Sequence, residues 1–239
     1  MNKRCKNIYA IASDIVLGKV PTKEEIVAKE QEFQKVWDGS GQTDFSFYDH
    51  PDYMYLALNS WTVRSWSDVE YCVKHDLLLK PKRVFDYCGG IGMSACLLAT
   101  VFPDAECVTH NIAPKQRDAA SELARRLNLS NVKVVDKIER DCDLLLAQET
   151  FEHIKDPFKG IQELLDVVKP KQYLDASTFG IVSPGHFDVY TLEGRDVPRD
   201  NAKRPFNAIL RANGFERYWK LRGLKSPYNG HPALWEKKS

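Results

Sequence analysis

The stretch Arg83-Val84-Phe85-Asp86-Tyr87-Cys88-Gly89-Gly90-Ile91-Gly92-Met93-Ser94-Ala95 decides the fold. A short apolar run closes on a carboxylate, a glycine-dense turn follows, and small residues then open a helix. Glycine lacks the Cβ that would hold a ligand away, so such a junction lets main chain lie against a bound small molecule. Outward from it, strand and helix patterns alternate: strand 83–87, helix 91–102, strand 105–110, helix 114–127, strand 132–135, strand 142–147, helix 157–168 and strand 172–178. Pro103-Asp104 and Lys169-Pro170-Lys171 punctuate the connections. The alternation predicts an α/β fold with a mostly parallel sheet and helices on both faces. A helix near 202–212, closed by Asn213-Gly214, and an antiparallel pair near 215–222 and 232–237 complete it.

Residues 1–80 read as a helical N-terminal extension ahead of a domain at 81–239. Apolar residues at 8, 11 and 15 have helical spacing, and Pro21-Thr22-Lys23-Glu24-Glu25 resembles a helix start with acids in its first turn. Ile26, Phe33 and Val36 then share a face, and Asp38-Gly39-Ser40-Gly41-Gln42 breaks the pattern. An aromatic stretch follows, with Phe45, Phe47, Tyr48, Tyr53, Tyr55, Trp61 and Trp66. It lies just before the first sheet strand, so the segment around Tyr53 to Trp66 is expected to cover the ligand cleft.

The 239 residues suffice for one α/β domain plus this extension. No apolar run approaches the roughly 18 residues of a membrane span. The basic start Met1-Asn2-Lys3-Arg4 precedes an apolar run that Asp14 interrupts, which argues against a signal peptide. Six scattered cysteines without a C-x-x-C pair argue against a zinc site or a disulfide scaffold, and no metal ligands are assigned. A reducing, cytoplasmic setting is the simplest expectation. Net charge is +1, but from Arg195 onward 11 Lys and Arg face only 4 Asp and Glu. This basic, aromatic third, with Tyr218, Trp219, Tyr228 and Trp235, fits either a solvated surface or an anionic partner, nucleic acid included.

Asp86 sorts the possible ligands of the turn. A dinucleotide would set its pyrophosphate at the helix N-terminus, where a carboxylate repels it. S-adenosylmethionine carries a sulfonium and an ammonium group instead, which an acid attracts. Gly90-Ile91-Gly92-Met93-Ser94-Ala95 also fits the dinucleotide fingerprint, but Asn111 stands where that fingerprint expects an acid. The run resembles the first motif of the class I S-adenosylmethionine-dependent methyltransferases, acid-x-Gly-x-Gly-x-Gly, with Cys88 in place of the first glycine. Later segments resemble that family in the same order. Cys107 to Pro114 resembles the end of the second strand, with Asn111 where the family usually grips the ribose hydroxyls. Val134-Val135-Asp136-Lys137 resembles the third motif, and Asp143 to Pro157, with Gln148-Glu149-Thr150-Phe151-Glu152-His153, the fourth.

The resemblance, over about 83–178, implies a Rossmann-like fold and S-adenosylmethionine as cofactor. It implies cofactor contacts from Asp86, Tyr87, Cys88, Gly90, Gly92, Asn111, Ile112, Asp136, Lys137, Gln148 and Glu149. His153 is a candidate base at the end of a sheet strand. In the insert at about 179–203, His186 and Tyr190 are candidates for acceptor chemistry, with Asp188 beside them. No Asn-Pro-Pro-Tyr signature of nucleobase methylation follows the fourth strand, so the expected reaction is methyl transfer to a small acceptor, an anionic one included. Nucleic-acid methylation and a methyltransferase-like binding module without turnover are the competing readings. An aspartate at 111 is expected to keep or improve the grip on the cofactor.

Overall fold

In a computed structural model, the structure describes residues 3–36, 48, 50–63, 65–220 and 233–238. The breaker cluster at 38–42, Phe45, Phe47 and Tyr228 lie outside them, as do the side chains of Trp61, Trp66, Tyr218 and Trp219. The sheet contains β1 (Arg83–Asp86), β2 (Glu106–His110), β3 (Val132–Val135), β4 (Leu144–Gln148), β5 (Gln172–Ala176), β8 (Phe215–Lys220) and β9 (Ala233–Lys237). Their spatial order is β3-β2-β1-β4-β5-β9-β8. The first five run parallel, while β9 is antiparallel to both neighbours. The chain winds outward from β1 in one direction, then returns to start β4 on its other side. Strand order therefore reverses between β1 and β4, and ligands of open α/β sheets bind at the carboxyl ends of strands at such a point.

Alternate residues of each strand feed two cores. Val84, Leu144 and Leu146 face one, Phe85, Leu145 and Ala147 the other. The first core lies under α5 (Met93–Val101) and α6 (Pro114–Arg126), the second under α7 (Pro157–Val168) and α8 (Arg199–Ala212). Helix α5 is apolar on nearly every side and accordingly buried from Met93 to Ala99. Helix α7 starts sharply because the Asp156 carboxylate accepts from Lys159 N, with Pro157 in the first turn.

The described N-terminal residues form α1 (Lys3–Leu17), α2 (Lys23–Val36), α3 (Pro51–Val63) and α4 (Ser65–Lys74). Thr22 and Glu25 exchange side-chain and backbone hydrogen bonds at the start of α2, a reciprocal cap. Cys5, Ile8 and Ala12 of α1 are buried in the first core, so this extension is part of the sheet's packing. The insert holds a hairpin, β6 (Val189–Leu192) and β7 (Arg195–Pro198), that sequence patterning missed. Glu193-Gly194 forms its two-residue loop with both φ positive, a turn whose first residue is not the usual Asn, Asp or Gly. All six cysteines are free. No helix among the described residues is long and apolar enough to cross a membrane.

Candidate active site

A cleft opens at the point where strand order reverses. Its walls come from the turn after β1 (Asp86, Cys88, Gly90), the end of β2 (Asn111, Ile112), the end of β4 (Gln148, Glu149, His153) and the segment after β5 (Thr178, Ser183, His186). Glu30, Tyr48, Tyr53, Leu56 and Ala57 of the N-terminal extension complete it.

The turn is tightly wound. Cys88, Gly90 and Gly92 all have left-handed φ, at 54°, 57° and 73°. Gly89 is constrained by space: a Cβ there would sit 2.3 Å from Asp86 Oδ2 and 2.5 Å from Thr109 Oγ1. At Gly90 a Cβ would meet only Gln116 Oε1, at 3.7 Å, so this residue borders open cleft. Gly92 lies outside the lining and serves packing, since its Cβ would approach Ala120 Cβ to 3.0 Å.

Asp86 is 3% exposed, and its Oδ2 has no hydrogen-bond partner. Burial pushes its pKa up to about 7, against the lowering effect of the Ala95 backbone N–H. Burial likewise pushes the Cys88 thiol up to about 12, so it stays protonated at neutral pH. Tyr87 turns away from the cleft lining and stacks on His110, with ring centroids 5.0 Å apart.

Asn111 is already committed within the protein. Its Oδ1 accepts from Ala113 N at 2.8 Å, and its Nδ2 donates to Gln116 Oε1 at 2.8 Å and Gly90 O at 3.3 Å. The amide pins the glycine turn to the start of α6, and Gln116 passes the link on to Tyr48 O at 3.2 Å. An aspartate here therefore acts on the turn's own bonding as well as on any ligand. Asn111→Asp loses the donor and brings a carboxylate against the Gly90 carbonyl. It is expected to cost about 1–3 kcal/mol of stability, measured by denaturant melts, and to loosen the turn.

Gln148 accepts from Ser94 Oγ at 3.4 Å, and Glu149, with a left-handed φ of 51°, accepts from Thr178 Oγ1 at 2.7 Å. His153 packs edge-on against His186, with centroids 4.6 Å apart. Burial, then the neighbouring His186, pushes the His153 pKa well below its usual value, so the ring is neutral at neutral pH and a weak base.

Besides Tyr87 and Gly92, four sequence candidates fall outside the cleft lining. Asp136 and Lys137 are exposed beyond β3. Tyr190 is fully buried in the second core, and its hydroxyl donates to Glu152 O at 3.0 Å; it is a packing residue without access to an acceptor. Asp188 is exposed and paired with Arg199. Conversely, Gly89, Gln116, Glu152 and Thr178 help build the site without having been singled out. Glu152 stood in the Glu-x-x-Glu-His run, but its burial came from tertiary packing. Thr178 carries no local signal.

Residues 85–174 match the family model described as methyltransferase domain. A curated relative, the chloroplastic tocopherol O-methyltransferase of Arabidopsis thaliana, is 33% identical over 99 residues, 38% of this chain and 28% of that protein. The chain thus aligns with little more than a quarter of that relative's length. Among solved structures, an O-methyltransferase family protein from Burkholderia thailandensis aligns with a TM-score of 0.60 at 16% identity, over 92% of this chain and 74% of that one. Magnesium protoporphyrin IX methyltransferase from Synechocystis PCC 6803, solved with bound SAH, aligns with a TM-score of 0.55 at 15% identity, over 89% and 94%. These likenesses extend the fold agreement well beyond the matched segment. Residues 85–174 thus match a methyltransferase domain, and the solved structures share the fold in which it is set.

Proposed function

We propose that this protein transfers a methyl group from S-adenosylmethionine to a small acceptor held in the same cleft. One observation carries the reading: a buried acid lines the cleft, Asp86 with an unpartnered oxygen, and no Lys or Arg lines it among the described residues. Such a wall repels a pyrophosphate and attracts a sulfonium or ammonium group. The residues fit the cofactor in shape as well, because Gly90 leaves room for a ligand against the backbone.

When bound, S-adenosylmethionine supplies an activated methyl group on sulfur. The chain's own work is then to bind and align, an effect of proximity and orientation. Asp86 offers the cation a counter-charge, and Gln148 borders the space beside it. Tyr48 and Tyr53, ring centroids 4.6 Å apart, line the cleft from the N-terminal side and serve there as a cover that excludes water. A cleft covered in this way suits a small acceptor better than a duplex. Several cations of the basic C-terminal third are also already paired, Arg199 with Asp188, Lys203 with Asp175 and Lys238 with Glu216.

Incubating the protein with methyl-labelled S-adenosylmethionine and a panel of small hydroxyl and amine compounds tests the reading. Labelled product is expected from at least one class. Cofactor binding with no transfer to any acceptor, nucleic acid included, would favour the binding-module alternative. Because α1 is part of the core, the cover is tested by Tyr53→Ala rather than by truncation. That variant is expected to raise the acceptor KM several-fold, and unchanged kinetics would argue against a cover.

A pH dependence follows from Asp86. An unfolded aspartate ionises near about 3.9, whereas the folded one keeps its proton up to about pH 7. The folded state thus binds more protons over that interval, so this group's contribution to stability falls as pH rises from about 4 through 7. The loss is on the order of 4 kcal/mol and should be absent in Asp86→Asn; paired denaturant melts across the range measure it. Affinity for the cationic cofactor runs the other way, rising as Asp86 ionises.

A further inference from the structure

Glu152 meets His153 and His186, the two histidines lining the cleft, with one donor atom of each residue lying within 4.8 Å of the others. Glu152 is fully buried. Its Oε1 accepts from Thr178 N at 2.8 Å and Thr178 Oγ1 at 2.6 Å, while Oε2 has no hydrogen-bond partner. A buried carboxylate oxygen without a donor is costly unless something cationic meets it. His186 Nδ1 lies 3.0 Å from Ile181 O. A carbonyl only accepts, so Nδ1 carries the hydrogen and Nε2 keeps its lone pair, the arrangement by which metal-binding histidines are oriented. The His153 ring packs closely against Gly185, where a Cβ would come within 2.3 Å of its Nδ1.

Negative charge gathers around this cluster. Thr178 Oγ1 lies 2.7 Å from Glu149 Oε2 and 2.6 Å from Glu152 Oε1, so two carboxylates share one hydroxyl hydrogen. Among the described residues, no Lys or Arg lines the cleft beside them.

We propose that Glu152, His153 and His186 form a binding site for a divalent transition-metal ion, open toward the cleft for an oxygen atom of the acceptor. Two ligands on one ion with bonds of about 2.0–2.2 Å stand roughly 3–4.4 Å apart, so small side-chain movements close the triad. Two neutral imidazoles and a carboxylate suit Mn²⁺, Fe²⁺, Co²⁺ or Zn²⁺ better than Ca²⁺, which favours an all-oxygen shell. Three protein ligands leave positions for an outside oxygen, the pattern of reactive rather than structural sites. The identity of that oxygen's owner rests on the methyl-transfer reading; binding of the ion does not.

The test is titration of the chelator-treated full chain with Mn²⁺ alone, followed by electron paramagnetic resonance of the free ion. Mn²⁺ prefers oxygen and nitrogen ligands, which keeps it off the six thiols. One ion per chain is expected. Glu152→Gln and His186→Gln should each weaken binding at least ~10-fold, and Asp188→Asn, exposed and outside the triad, should leave it unchanged. If Glu152→Gln fails to fold, His186→Gln carries the same expectation. The proposal is overturned if the wild-type chain shows no saturable Mn²⁺ binding, or if a folded His186→Gln variant binds like wild type. S-adenosylhomocysteine titrated in parallel separates the two claims: cofactor binding without ion binding removes only the metal site.

Discussion

Gly89→Ala is expected to weaken S-adenosylhomocysteine binding by more than ~100-fold, equivalent to about 2.7 kcal/mol, and to lower stability by about 1–3 kcal/mol. The added Cβ would lie 2.3 Å from Asp86 Oδ2 and 2.5 Å from Thr109 Oγ1, so the turn or the buried carboxylate must move. Neither has room, since Asp86 and Thr109 are 3% and 1% exposed. Gly90→Ala makes the informative contrast: it meets nothing closer than 3.7 Å and pays mainly for its left-handed φ of 57°, roughly 1–2 kcal/mol. Calorimetry and thermal melts on the two variants measure both effects. Gly89→Ala binding within threefold of wild type would show that the turn does not hold the ligand.

The second large effect lies behind the site. Lys203 Nζ donates to Asp175 Oδ2 at 2.6 Å, and Asp175 is fully buried at the end of β5. Asp175 Oδ1 also accepts from Ser177 N and Oγ, at 3.0 and 2.7 Å, which shapes the chain leading to Thr178. Lys203→Met leaves a carboxylate buried without its counter-ion and is expected to cost about 3 kcal/mol, a melting-temperature drop of roughly 6–12 °C. Adding Asp175→Asn to it should recover part of the loss. A single variant melting within 2 °C of wild type, about 0.5–1 kcal/mol or less, would contradict this account of the pair.

Local signals carried the sheet domain. The apolar runs, the punctuation at Pro103-Asp104 and the Asp156-Pro157 helix start fix elements within a few residues, because each is set by neighbours in sequence. The hairpin at 189–198 was missed because Glu193 adopts a positive φ that its residue type does not advertise. At the site, the turn and the end of β4 were legible, since motif spacing places them. Roles set by contacts across the chain were not. Asn111 lines the cleft as its motif position suggests, but its bonds to Gly90 O and Gln116 had no local signal. Tyr190 read as an acceptor contact, yet packing buries it. Glu152 and His186 lie 34 positions apart in the sequence, so only the fold brings them together.

The central claim is that the cleft at the reversal of strand order takes a cationic adenosyl cofactor against Asp86 and Gly90. Titrating the full chain with S-adenosylhomocysteine by calorimetry, beside Gly90→Val, tests it most directly. One molecule is expected to bind per wild-type chain and none to the variant, whose branched side chain fills the space left open at Gly90. No binding to the wild-type chain at millimolar ligand, or undiminished binding by a folded Gly90→Val protein, would contradict it.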